Sequence, residues 1–145
     1  SSMKEAIDTY CEQTGQSKPE TAGEYCRCIF RSLALRYRQV VGILSEMAPF
    51  QIKKMHVIGG GSQNSYLMQY AANSLKMPVI CGPVEGTALG NVLMQIKSAG
   101  RVETLIQMRE IAAKSTELKT YLPQDTEAWD KAYEDFLEIQ KKYKN

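Results

Sequence analysis

An incomplete α/β domain, rich in helix and centred on one parallel βαβ unit, is the fold class this sequence predicts. Two short apolar runs, residues 55–58 and 78–81, each end at glycine and each lead into an amphipathic stretch. That is the pattern of two parallel strands joined by a right-handed helical crossover. Helix-period patterns fill most of the remaining length. Two strands are too few, because a parallel sheet is normally covered on both faces and has more members. The 145 residues form one domain's worth of chain, enough to enclose a core. The remaining strands are therefore expected elsewhere in a longer sequence or in a partner.

Residues 3–14 read as a helix stopped near Gly15. Thr21-Ala22-Gly23-Glu24 has the spacing of a capping box. Beyond it Tyr25, Ile29, Leu33, Tyr37, Val40, Leu44 and Met47 recur at three or four, one apolar face of a long helix ending before Pro49. Val57 and Ile58 are β-branched and make 55–58 a strand. Leu67, Tyr70, Ala71, Ser74 and Leu75 line the crossover helix. Pro78 opens the second strand, where a missing N–H is tolerated. Leu89, Val92, Leu93 and Ile96 mark a helix ended by Gly100, and residues 104–114 another. Past Pro123, Trp129, Ala132, Tyr133, Phe136 and Leu137 form the core-facing stripe of a last helix. Lys141, Lys142 and Lys144 complement its carbonyl end.

Composition removes several classes of function. With 43% hydrophobic and 23% charged residues the chain reads as globular. A net charge of +2 gives no footprint for nucleic acid or a membrane surface. No apolar run approaches the ~20 residues of a membrane span. Residues 1–14 are too polar for a signal peptide, so a cytoplasmic address is expected. Four cysteines and one histidine, His56, give no zinc pattern. Cys26 and Cys28 lie two apart in helical pattern and face different ways. The thiols are expected to be reduced, with one exception. Cys11 closes the first helical pattern and Cys28 lies on the inner edge of the next, so helix packing would bring these two sulfurs together as the one bridging pair.

The chemistry sits in "HVIGGGSQNSYLMQYAANSL", residues 56–75. Three consecutive glycines carry a large entropy cost and imply positive φ or close approach of another group to the backbone. A P-loop is excluded, since no lysine follows Gly61 in the required place. A dinucleotide fingerprint is also in play: Gly59-x-Gly61-x-x leads to Asn64 where it needs a third glycine, while Glu85 could imitate its ribose-binding acid. The third pattern is an apolar strand, then Gly-Gly-x-Ser, then a helix whose N-terminus offers unpaired N–H groups to an anion. A free-standing interaction module, without catalysis, remains a further alternative.

Taken with "PVICGPVEGTALGN" and the upstream "CRCIFRSLALRY", this turn closely resembles the FGGY family of carbohydrate kinases, over essentially the whole chain. The resemblance implies part of a ribonuclease-H-like, actin-like ATPase lobe, residues 1–145 being the later part of the C-terminal nucleotide-binding lobe. It implies ATP or ADP as ligand, Mg²⁺ as cofactor and a sugar bound through an N-terminal lobe that these residues do not include. The family's ATP contacts fall on Gly60 and Asn64, with Gly59, Gly61 and Ser62 as neighbours in the same turn. The family's aspartate base lies on a hairpin outside these residues, so no catalytic residue is expected here and the chain alone is expected to be inactive. From the residues themselves, Asn64 also suits a helix cap. Glu85 suits an N-terminal acid that complements the helix dipole, Thr87 a cap, and His56 a structural role. Gly90, costing ~1 kcal/mol inside a helix, implies a close neighbour, either the βαβ turn or the ligand. The free edge of the strand at 55–58 is expected to recruit another chain, giving self-association.

Overall fold

The structure is a computed structural model and describes residues 2–143; Lys144 lies outside the described residues. The helices are α1 (Met3–Thr14), α2 (Ala22–Met47), α3 (Ser65–Leu75), α4 (Gly86–Ser98), α5 (Leu105–Ser115) and α6 (Thr126–Tyr143). The strands are β1 (Met55–Val57), β2 (Val79–Cys81) and β3 (Lys119–Tyr121). β1 and β2 are parallel, with His56 opposite Ile80, so the βαβ unit is present as expected. β3 adds antiparallel to the other side of β2, in the order β1-β2-β3. This strand went unread because Lys119, Thr120 and Tyr121 offer only three residues and one buried side chain, too little for an alternation to show.

Local chemistry sets the boundaries. The capping box at Thr21 and Glu24 forms, and similar boxes at Ser2 with Glu5 and at Thr104 with Gln107 start α1 and α5. Gly15 ends α1 in the left-handed conformation, its N–H donating to the Cys11 and Glu12 carbonyls. Gly100, at φ 70°, follows the end of α4.

The main core lies between α3, α2 and the sheet. Met68, Ala71, Ala72, Val79, Cys81 and Tyr121 are buried there, with Phe30, Tyr37, Val41, Met55 and Val57 packed against them. Full burial of a side chain such as Met68 contributes roughly 1.5–3 kcal/mol. The buried face of α2 differs from the stripe read in the sequence. Its buried residues are Ala34 and Leu35, while Leu33, Val40, Leu44 and Met47 stay exposed. The 26-residue helix meets α3 and the sheet on one side and α6 on another, so no single stripe describes its packing.

α6 docks through Trp129, which joins Ala34 and Leu35 and stacks at 5.2 Å, tilted, against Tyr70. Of the expected α6 stripe only Trp129 is fully buried; Ala132, Tyr133, Phe136 and Leu137 are half-buried. A charged latch holds the same junction. Asp130 accepts from Arg38 at 2.8 Å and from Lys76 at 2.6 Å, and the Arg38 guanidinium lies 4.4 Å from the Tyr133 ring centre. These two cations, Lys76 first, hold the Asp130 carboxyl below its usual range. α4 and α5 share a separate small cluster of Leu93, Val102 and Met108. Among the described residues, no helix is long and apolar enough to cross a membrane.

Candidate functional site

The parallel strands β1 and β2 bring two glycine-bearing loops together at their carboxyl ends. Gly82 N–H donates to the Val57 carbonyl at 2.8 Å, and Gly59 N–H donates to the Pro83 carbonyl at 3.1 Å. Gly86, the first residue of α4, lies against the Ile58 side chain. Crevices at this end of a parallel sheet are where α/β folds present backbone donors and loops to ligands.

The first loop is a four-residue 3₁₀ turn, Gly60–Gln63, between β1 and α3. Gly59 takes φ 83°, a conformation that strains any residue with a Cβ. Ser62 is buried, and its hydroxyl donates to the Gly59 carbonyl at 2.7 Å, pinning the turn from within. Gly60 and Gly61 are different. Both are exposed, neither has positive φ, and a Cβ built on either would meet nothing within 4 Å. The protein's own atoms give no reason for glycine there.

Asn64 is the N-cap of α3, its side-chain oxygen accepting from the Leu67 N–H at 3.0 Å. That bond fixes the amide so that its NH₂ group, a donor only, remains available. The first-turn N–H groups that Asn64 does not take are open to an anion, with the positive end of the helix dipole behind them. The sequence-predicted residues Gly59, Gly60, Gly61, Ser62 and Asn64 thus fall on one turn: two exposed glycines and a half-buried asparagine face outward, and Ser62 faces inward.

The second loop corrects two expectations. Thr87 lies inside α4, after Gly86, and is no cap: the N-cap position is Glu85, whose side chain makes no capping bond. Glu85 and Thr87 are both exposed. Gly90 has no neighbour within 4 Å, so the β1–α3 turn is not what it accommodates. Gly82 is the crowded glycine, at φ 110° with the Glu117 carbonyl and Leu118 both 3.2 Å from a built Cβ. His56 is exposed on β1.

The bridge expected between Cys11 and Cys28 is not made; all four cysteines are free thiols. The helix packing that motivated it is present, since both line an apolar groove of about 700 Å³ between α1, α2 and α6. Burial, and next the neighbouring Cys28, push the Cys11 thiol up, so it stays protonated and unreactive at neutral pH. No sequence signal pointed to the Arg38–Asp130–Lys76 latch, whose members are 92 and 54 residues apart.

Residues 2–99 match the model of the FGGY family of carbohydrate kinases, C-terminal domain. The chain belongs to the FGGY family of carbohydrate kinases. Within that family it is 50% identical over 131 residues to the rhamnulokinase of Bacteroides thetaiotaomicron, covering 90% of this chain and 27% of that protein. The rhamnulokinase of Pectobacterium atrosepticum is 43% identical over 122 residues, 84% of this chain and 25% of that one. The crystal structure of xylulose kinase from Rhodospirillum rubrum superposes with TM-score 0.65 at 21% identity, over 88% of this chain and 26% of its own. That likeness concerns the fold. The chain spans about a quarter of the length of these relatives.

Proposed function

We propose that this chain is the later part of the C-terminal, ribonuclease-H-like lobe of an ATP-dependent kinase for L-rhamnulose. The whole enzyme would transfer the γ-phosphoryl group of ATP to the sugar, giving L-rhamnulose 1-phosphate. The observation that carries the nucleotide part of this reading is the pair Gly60 and Gly61. Their own surroundings leave room for a side chain, so the requirement for bare backbone comes from a ligand that rests on the turn. Ribose and α-phosphate fit that description, because the turn leads directly into the dipole and free N–H groups of α3. Gly59 and Ser62 shape the turn, Gly60 and Gly61 receive the ligand, and the Asn64 NH₂ group donates to it. The two rhamnulokinases named above, at 50% and 43% identity, support the choice of acceptor.

Mg²⁺ would arrive with the ATP phosphates and neutralise charge as the γ-phosphoryl group moves; no residue of this chain is assigned to it. Phosphoryl transfer depends on positioning the nucleotide, metal and acceptor hydroxyl together. The residues present supply the adenosine side of that arrangement. The 145-residue chain by itself is therefore expected not to phosphorylate L-rhamnulose and to bind ATP weakly.

Gly60→Val in an enzyme of the relatives' full length tests the reading. It places a branched side chain in the space the ligand would take, at a position where an added Cβ meets no atom of the chain within 4 Å. The expected result is a folded enzyme with strongly weakened ATP use and sugar binding largely kept. An unchanged ATP dependence would remove the nucleotide role of the turn. Turnover of L-rhamnulose and ATP by residues 1–145 alone would show that the acceptor side is present after all.

A further inference from the structure

α4 and α5 carry a core of their own. Leu93, Val102 and Met108 are buried together, and Leu89, Ile96, Ile111 and Ala112 pack around them. None of these side chains belongs to the other two cores, which join α2, α3, α6 and the sheet. Local bonds close the unit on itself. The Arg101 N–H turns back to the Ile96 carbonyl at 3.1 Å, just before Val102 enters the core, and the Thr104–Gln107 box starts α5. Among the described residues, the side-chain hydrogen bonds of α4 and α5 all stay inside this unit. No ion pair among them ties it to the rest.

The unit hangs on a neck of two chain passages that lie side by side. One leaves β2 through Gly82, and the other enters β3 through Glu117 and Leu118. They touch at the joint, where a Cβ added to Gly82 would stand 3.2 Å from the Glu117 carbonyl and from the Leu118 side chain. Just below it they are already paired as strands, Cys81 opposite Lys119. Such a neck is a hinge: a body with its own core can turn about it without opening another core. Gly82, at φ 110°, brings the backbone freedom that the joint requires.

A second set of contacts limits that turning, and it lies beside the glycine turn. The Gly59 N–H donates to the Pro83 carbonyl at 3.1 Å. The Ile58 side chain lies 3.5 Å from a Cβ added to Gly86, with Pro83 3.6 Å from the same point. Pro83 and Gly86 both stand on the unit's side of Gly82, so swinging the unit away breaks both contacts. The bond from the Gly82 N–H to the Val57 carbonyl, at 2.8 Å, lies on the sheet's side and survives. Gly59 passes the effect on, because its carbonyl accepts the Ser62 hydroxyl that pins the turn.

We propose that in residues 1–145 α4 and α5 swing as one rigid unit about this neck. The Gly59–Pro83 bond and the Ile58–Gly86 contact are the catch that holds the unit closed against the glycine turn. Ile58 is 60% exposed, so under half of its side chain is committed to the catch. One backbone bond and that much apolar contact make a joint at the weak end of local opening. The closed unit orders the first residue of the turn, and the open unit frees it. A ligand that needs the ordered turn therefore favours the closed unit. This coupling runs through Gly59 and holds whether or not the ligand is a nucleotide.

Residual dipolar couplings of residues 1–145 read the motion directly. Those of 86–115 are expected to fit the α4–α5 geometry, with a weaker alignment than those of α2, α3 and α6. The Gly59 amide is expected to exchange faster than the Gly82 amide. Ile58→Ala, at an exposed position, removes the side-chain half of the catch. It is expected to speed Gly59 exchange roughly fivefold, as the loss of a partly buried isoleucine contact implies, and to leave Gly82 exchange unchanged. Gly86→Ala adds a Cβ at ordinary contact distance from Ile58 and Pro83. It is expected to do the opposite, slowing Gly59 exchange and bringing the two alignments together. One common alignment for unit and body in the unsubstituted chain overturns the proposal. So does an equal response of Gly59 and Gly82 to Ile58→Ala, or faster Gly59 exchange in Gly86→Ala. Loss of helical chemical shifts across 86–115 overturns it too, since no rigid unit would then exist.

Discussion

The two loops that follow β1 and β2 use glycine for opposite purposes. At Gly82 the demand comes from inside: φ is 110°, and the Glu117 carbonyl and Leu118 stand 3.2 Å from any added Cβ. At Gly60 and Gly61 the backbone is ordinary and the space is empty. The capping of the following helices differs too. α3 is closed by the Asn64 side chain, whereas α4 starts at Glu85 with no side-chain bond. One loop needs glycine because of its own protein, and the other leaves Gly60 and Gly61 with no neighbour that asks for it. Identical letters in a sequence therefore carry different information, and only the surroundings separate them.

Substitutions should reproduce that contrast as a graded series. Gly82→Ala has the largest expected effect, a loss of about 2–4 kcal/mol from strained φ and crowding together, measured by chemical denaturation. A loss below half of that range would mean that β3 and its approach loop yield easily, and the inward reading of Gly82 would fail. Gly59→Ala comes next, about 1–2 kcal/mol, because its φ of 83° is strained but its nearest neighbour is 4.0 Å away.

Asn64→Ala should cost about 1 kcal/mol through the lost cap, while Asn64→Asp should keep the cap and most of the stability. In the full-length enzyme both should weaken ATP binding, since each removes the outward NH₂ donor. If Asn64→Asp binds ATP normally, Asn64 is a cap and nothing more. Gly60→Ala should change stability by less than about 1 kcal/mol, in the stabilising direction, because it only restricts the unfolded chain. Paired with weaker nucleotide binding, that result would separate the outward glycine from the inward one.

The smallest expected change concerns the far end of α3. The Asp130 carboxyl is held below its usual range by Lys76 and Arg38. A carboxyl depressed in the folded state stabilises it above the ordinary carboxylate range, and that contribution disappears as pH falls through the folded value. Acidification from pH 5 to 3 should thus loosen α6 around Trp129, seen in its fluorescence, before far-ultraviolet dichroism changes. Asp130→Asn should remove the pH step; its persistence would assign the step to another carboxylate.

Much of this architecture was legible because its determinants are local. Thr21 and Glu24 announce the start of α2, Gly15 and Gly100 announce helix ends, and Val57 and Ile58 lead into the glycine turn. Asn64 was readable as a cap from its place before an amphipathic run. The unread features depend on partners distant in sequence. β3 exists because Tyr121 fills a place beside Val79, and the latch at Asp130 exists because α6 returns to α2 and α3. Thr87 was misread because α4 begins at Gly86, two residues earlier than a cap at Thr87 would start it. Of the two neighbours expected at Gly90 the βαβ turn is not one, because the turn after β1 contacts the start of α4 at Gly86, not its second turn.

Asn73 carries a consequence of another kind. Its side-chain oxygen, on a residue only 7% exposed, accepts from Gln69 at 2.7 Å and from the backbone N–H of Gln124 at 2.9 Å. Gln69 in turn donates to the Leu122 carbonyl at 2.8 Å. The irregular stretch between β3 and α6 is thereby fastened to the central helix as firmly as a strand would be. On the clock of amide exchange, the proton on Gln124 should belong with those of α3 and not with those of the other loops. A protease searching for a slack connection should pass over this one and cut elsewhere.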